Sequence, residues 1–375
     1  MTSISQLEKN GLLLLNGVCP YYTMFPLAFP LDRLRAAKAG EWVIDPFCGR
    51  GSTNYAARLL GLPSVGIDSN PVAAAIAGAK LVATTPERII QVCKTILETT
   101  PTLSLPKGAF WQACYHPNTL RQLCKLRSAL RRGRSSPARS ALRALLLGRL
   151  HGPRPRFAPP SYLSNQMPRT YAAKPGYAVR FWREHDMRPP EVDVLELVRR
   201  KAARYFGKLP PSTAGEVVCA DSATTRLSSL VDGPAAWVIT SPPYYGMRTY
   251  LPDQWLRYWF LGGPPRVSYR SEGQLEHTSP EHFADQLGDV WKNLATACAD
   301  GARLVVRFGG IRDRHQSPRE ILWESFRLAD AGWRITNVWP AGLATRGKRQ
   351  AEQFFDTLRK PVAEFDVDAR LDKGT

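Results

Sequence analysis

The sequence predicts an α/β fold that carries a basic, mainly helical insertion, and three observations carry that expectation. Residues 41–68 read as a strand, a glycine-bearing turn, a helix and a second strand. Apolar runs at 217–219, 235–239 and 302–308 supply further strands, with a helical pattern over 282–299 between the last two. Between those halves the rhythm breaks, and from Arg121 to Pro210 the chain holds 21 lysines and arginines against 5 acids. That stretch supplies most of the formal net charge of +19. A chain of 375 residues with 44% apolar content is long enough to bury an α/β core and a second lobe.

The elements run in order along the chain. Residues 1–20 read as a short helix or arm. Glu41 to Ile44 is a strand, Tyr55 to Leu60 a helix stopped at Gly61, Val65 to Asp68 a strand and Val72 to Val82 an alanine-rich helix. Pro86 to Glu98 is amphipathic, with Ile89, Ile90, Cys93, Ile96 and Leu97 on its apolar side. The insertion then gives a helix from Leu120 to Leu130, an Arg/Ser/Pro linker over 131–140, a helix from Ala141 to Leu150, a loop rich in proline and aromatics, and a helix from Glu191 to Tyr205. Helices over 282–299 and 320–331 flank the strand 302–308, and strands 334–339 and 362–367 make an antiparallel pair. The domains expected are therefore 1–99, 100–212 and 213–375.

Two motifs carry the chemistry. Asp45-Pro46-Phe47-Cys48-Gly49-Arg50-Gly51 follows the first strand and opens a helix, which places glycines where a backbone must approach a ligand. Asp68 ends the next strand, where an acid accepts hydrogen bonds from ribose hydroxyls. The third glycine of a nicotinamide-type loop is absent. Farther on, the strand 235–239 runs into Thr240-Ser241-Pro242-Pro243-Tyr244-Tyr245. Two prolines fix φ and remove donors, so the turn is stiff, with a hydroxyl before it and an aromatic ring after it.

The Ser-Pro-Pro-Tyr string resembles the catalytic motif of amino-directed DNA methyltransferases, in the serine version typical of cytosine-N4 enzymes. The Asp-Pro-Phe-x-Gly-x-Gly string is similar to the S-adenosylmethionine (AdoMet) loop of the same family. The resemblance covers residues 21–83 and 217–340 and implies a Rossmann-like AdoMet methyltransferase sheet. It assigns Ser241, Pro242, Pro243 and Tyr244 to catalysis, and Phe25, Asp45, Phe47, Gly49, Gly51, Asp68 and Asp221 to AdoMet. In this reading the Ser241 hydroxyl and Pro242 carbonyl orient the amine, Tyr244 stacks on an extruded base, and Asp221 meets the adenine amino group. The insertion departs from the family pattern because it precedes Asp221.

The amine's lone pair is delocalised into the base, so catalysis is mainly positioning toward the sulfonium methyl, without a covalent intermediate. Cytosine-C5 chemistry needs a cysteine after proline, whereas here the order is Cys19-Pro20. A duplex base cannot reach such a turn unless it is flipped out. The expected partner is double-stranded DNA, with a cognate restriction endonuclease if the enzyme is restriction-linked. Arg154, Arg156, Arg169, Arg180, Tyr245, Arg248 and Lys348 are the candidate DNA contacts, and Asn165-Gln166 the candidate pair for adenine edges. Adenine-N6 methylation, RNA-base methylation and a binder without turnover stay open. The seven scattered cysteines form no zinc pattern, and no run of 18 apolar residues or basic leader occurs, so a cytoplasmic protein without structural metal is expected.

Overall fold

The computed structural model describes residues 4–21, 25–101, 104–153, 159–167, 174–246, 254–267, 275–276, 278–310, 317–343 and 363–374. Their contacts divide the chain into an α/β unit (residues 21–81, 210–248 and 271–375) and a helical unit (1–20, 82–209 and 249–270). This division differs from the three segments read off the sequence. The helix Pro86–Thr99 groups with the insertion, because its apolar side, Ile89, Cys93 and Ile96, packs on the helices Pro117–Arg132, Pro137–Leu147 and Val194–Phe206. Amphipathic spacing reveals that a face is buried but not which partner covers it.

The α/β unit is built on seven strands among the described residues: β1 (Val43–Asp45), β2 (Ser64–Asp68), β3 (Gly215–Cys219), β4 (Ala235–Thr240), β5 (Cys298–Phe308), β6 (Trp333–Leu343) and β7 (Ala363–Leu371). They lie in the order β3-β2-β1-β4-β5-β7-β6. The first five are parallel, and β7 runs antiparallel to both β5 and β6. This is a Rossmann-like sheet of the kind the sequence resemblance implies, and the antiparallel pair stands where the sequence places it. β1 and β4 are apolar nearly throughout because central parallel strands are covered on both faces. Ile44, Val238, Leu304 and Val306 share a core with Phe283, Leu287, Trp291 and Leu294 of the helix Pro280–Ala297.

Helix starts are set by proline. The helices beginning at 71, 86, 117, 137, 175, 280 and 318 all carry it in the first turn. There a missing N–H costs nothing and the fixed φ favours helix. Several of these helices therefore begin two to four residues before the periodic apolar positions read from the sequence. The expected Arg/Ser/Pro linker is shortened in the same way, because Ser136 caps the helix Pro137–Leu147 by accepting from Arg139 N.

The helical unit buries its own aromatic cluster, in which Trp111 lies 4.5 Å from Trp259 and Phe110 lies 5.0 Å from Trp255. Many of its arginines are spent on structure. Arg127 Nε donates to Trp259 O at 2.7 Å, and Arg143 Nη2 donates to Leu130 O at 2.8 Å. Asn165, expected at a DNA base, is fully buried and donates to the carbonyls of Ala113 and Met187 at 3.2 and 3.1 Å. Among the described residues no helix is long and apolar enough to cross a membrane.

Candidate active site

The candidate site lies at the carboxyl ends of β1, β2 and β4 in the α/β unit. Asp45 ends β1 and is almost fully buried. Its Oδ1 accepts the Thr240 hydroxyl at 2.7 Å and Phe47 N at 3.2 Å. Burial pushes the Asp45 carboxyl up to about 7, against the lowering effect of those hydrogen bonds. Thr240 is the residue before Ser241, so one hydrogen bond fastens the glycine loop to the proline turn. Thr53 repeats the tie, its hydroxyl donating to Ile239 O at 3.1 Å.

The loop itself is shaped by two left-handed residues, Gly49 (φ +51°) and Gly51 (φ +73°). A Cβ on Gly51 would stand 2.7 Å from Ala77 Cβ, so only glycine lets the helix Ser52–Leu59 start here against the helix Pro71–Gly78. A Cβ on Gly49 would meet open space, so the backbone is bare on that side. Asp68, at the tip of β2, is half-buried. Its Oδ2 accepts Gly49 N at 2.8 Å and its Oδ1 accepts Asn70 N at 2.9 Å. Burial raises this carboxyl to about 6, while the two backbone donors pull it back down. Each oxygen retains a lone pair, so the carboxylate can both hold the loop and accept from a ligand.

At the turn, Ser241 and Pro242 are buried and Pro243 is half-buried. The Ser241 hydroxyl has no hydrogen-bond partner among the described residues. A buried hydroxyl left this way costs about 1–3 kcal/mol, a cost that a bound polar group would remove. Tyr244 is only 2% exposed. Its hydroxyl donates to Glu364 Oε1, its ring meets Phe308 edge-on at 5.6 Å, and Gly309 packs against the ring. The ring is thus covered, whereas the resemblance implies an open stacking surface. Tyr245 is also buried, edge-on to Phe283 at 5.6 Å.

The remaining residues divide clearly. Asp221 is exposed two positions beyond β3, with Oδ1 accepting Ala223 N at 2.9 Å. β3 neighbours β2, where Cys219 pairs with Asp68, so both acids stand at one end of adjacent strands. Phe47 is half-buried, and Phe25 is buried 5.1 Å from Phe29. Arg180 is an exposed residue of the helix Pro175–Glu184 in the helical unit. Arg154, Arg156, Arg169, Arg248 and Lys348 lie outside the described residues.

Sequence reading missed Thr240 and Glu364. Thr240 looks like one more strand residue, and its role appears only when β4 lies beside β1. Glu364 stands 120 positions from Tyr244, in the alternating run Glu364-Phe365-Asp366-Val367-Asp368, whose only signal is a row of three acids on one strand face.

No protein-family model matches the chain, and no curated protein matches it. Among solved structures, the chain is similar to the rRNA methyltransferase aviRa from Streptomyces viridochromogenes, at 14% identity over 98% of this chain and 94% of that one, with a TM-score of 0.37. It is similar to an rRNA methylase from Streptococcus thermophilus at 8% identity over 94% of this chain and 99% of that one (TM-score 0.34). A third is magnesium protoporphyrin IX methyltransferase (ChlM) from Synechocystis PCC 6803 with bound SAM, at 9% identity over 99% of this chain and 86% of that one (TM-score 0.33). Likeness this remote assigns no substrate and no residue role. Strand order and site geometry are the firmer ground for function.

Proposed function

We propose that this chain is an AdoMet-dependent methyltransferase that methylates the N4 amine of a flipped cytosine in double-stranded DNA. The observation that carries the reading is the Asp45–Thr240 hydrogen bond, which sets the unpartnered Ser241 hydroxyl directly beside the glycine loop. The donor set fits the cofactor: Asp68 has lone pairs for ribose hydroxyls, Gly49 leaves room at the backbone, and Asp221 stands at the next strand end for the adenine amino group. Phe25 and Phe47 would flank the cofactor's remaining surface. When bound, AdoMet supplies a methyl group on a cationic sulfur.

The chain's own residues do the positioning. Ser241 accepts an N–H of the amine, the Pro242 carbonyl accepts the other, and the nitrogen's lone pair is thereby aimed and enriched. The stiff prolines hold both acceptors in place, so little reorganisation is needed during transfer. Tyr244, anchored at its hydroxyl by Glu364 and packed against Phe308 and Gly309, braces the turn from behind instead of offering an open face to the base. Serine rather than aspartate before the prolines favours cytosine over adenine. The excess of basic charge in residues 121–210 favours a polyanionic substrate.

The test is to incubate the protein with labelled AdoMet and either duplex DNA or RNA of the same sequence, then digest both to nucleosides and separate them by mass. Labelled N4-methylcytosine from DNA is expected. Label in N6-methyladenine would move the target to adenine, and label confined to RNA would replace the substrate. Tight nucleic-acid binding with no label at any sequence would make the chain a binder. Asp68→Ala should weaken AdoMet binding while leaving DNA affinity nearly unchanged.

A further inference from the structure

The helical unit holds a cluster of cations that it does not neutralise. Arg149 is 5% exposed, and its guanidinium lies over the rings of Tyr162 and Tyr205, at 5.3 and 5.4 Å from their centroids. Its Nη2 donates to Val18 O at 3.2 Å and to the Tyr205 hydroxyl at 3.0 Å. Its Nε is buried without an acceptor, and among the described residues no carboxylate pairs with it. On the helix Val194–Phe206, Lys201 donates to the Ser161 hydroxyl at 3.4 Å, and Arg200 donates to Pro160 O at 3.0 Å. Arg204 is exposed, with its guanidinium 5.7 Å from the Tyr205 ring. The one acid that reaches this group among the described residues is the exposed Glu196, 3.8 Å from Arg200 and 3.3 Å from Arg199.

A guanidinium taken out of water needs charge or several acceptors in return. Arg149 has a carbonyl, a phenol and two ring faces, and beside it stand further cations. Burial and then Arg149, Arg200 and Arg204 push the Lys201 ammonium down to about 8, so these charges are close enough to disturb one another. An isolated protein gains nothing from such crowding. A tetrahedral oxyanion would offset it, because one phosphate offers several oxygens to an ammonium, a guanidinium and a hydroxyl together.

We propose that Arg149, Lys201 and Arg204, with the Ser161 hydroxyl, form a phosphate-binding site in the helical unit that takes a backbone phosphodiester of the nucleic-acid substrate. Lys201, Arg204 and Ser161 contact the anion, and Arg149 supplies buried positive charge beneath them. The nucleic-acid half of the proposal rests on the function proposed above, whereas the anion half does not.

The test compares the wild-type protein with the double variant Lys201→Gln and Arg204→Gln, whose positions are at least partly exposed and therefore compatible with folding. Circular dichroism and the thermal midpoint establish that the variant is folded. Inorganic phosphate at millimolar concentration should raise the wild-type midpoint more than chloride at equal ionic strength, and the variant should lose that difference. In a second arm, the affinity for a duplex oligonucleotide is measured by anisotropy across a salt series. The variant's slope of log affinity against log salt should be shallower by about 1, because one phosphate loses its neutralising cations. Equal responses to phosphate and chloride in the wild type would overturn the site and leave a solvated basic face. Loss of the phosphate response with an unchanged salt slope would overturn the backbone assignment, leaving a site for free phosphate. Neither arm depends on turnover, so an inactive preparation in the nucleoside assay leaves both readable.

Discussion

Two arginines, one in each unit, meet burial in opposite ways. Arg307 on β5 forms a two-pronged pair with Asp366 at 2.7 and 2.9 Å, and the Phe29 ring covers it at 4.0 Å. Arg33 adds contacts to Asp366 at 3.7 Å and Asp368 at 3.2 Å, so two cations and two anions close a local circuit. Arg149 in the helical unit has no such partner among the described residues and leaves its Nε unused. Arg58, also in the α/β unit, donates from Nε, Nη1 and Nη2 to three separate carbonyls. The difference teaches that Arg307 and Arg58 are matched by acceptors within their own unit, whereas Arg149 is matched only in part.

If that contrast holds, changes in the α/β unit should cost stability, with Ser241 as the exception. Gly51→Ala should be the most damaging. A positive φ costs a side chain about 1 kcal/mol, and the contact with Ala77 adds about 1–3 kcal/mol, which a denaturant midpoint reads directly. Ser241→Ala should slow methyl transfer roughly 100-fold, as losing one oriented hydrogen bond in a preorganised site typically does. Its thermal midpoint should stay level or rise, because an unpaired buried hydroxyl is removed. A fall in stability with full activity would make Ser241 an ordinary core residue.

Asp45→Asn tests the buried acid. Its carboxyl stands near 7 in the folded protein against an ordinary 3.8, so the folded state retains a proton that the unfolded chain gives up. The wild type therefore loses stability from this group as pH rises between those values, with no further loss above them. The stability difference, variant minus wild type, should grow by roughly 4 kcal/mol across that window and then level off. A flat difference would mean that Asp45 is ionised throughout. Tyr244→Phe should cost about 1 kcal/mol by removing the hydrogen bond to Glu364, and Glu364→Gln should cost less because an amide oxygen can still accept the hydroxyl. Lys201→Met belongs to the other side of the contrast. Without added anion it should leave stability within about 0.5 kcal/mol of wild type or slightly raise it. A large loss would show that the helical unit needs that charge for folding.

How much of this was legible in the sequence depended on whether the cause was local. The glycine loop and the proline turn could be read because backbone geometry restricts which residues stand there, and the antiparallel pair because alternation marks a strand. The order of the insertion and β3 was also legible, since strand and helix periods differ. Thr240 and Glu364 were not, because their roles arise from neighbours brought together by the sheet. The basic stretch announced charge but not its use. Arg127 and Arg143 are tied to helix-end carbonyls, whereas Lys201 and Arg204 are not, and only packing distinguishes them.

β7 follows β6 in the chain yet lies between β5 and β6. While the protein is being synthesised, β5 and β6 therefore wait with unpaired edges until residues 363–371 have left the ribosome. A growing chain is then exposed to strand-to-strand association with its neighbours, and Tyr244 lacks its Glu364 anchor until that residue arrives. A stop codon shortly before this strand would open a gap within the sheet and leave a product prone to aggregate.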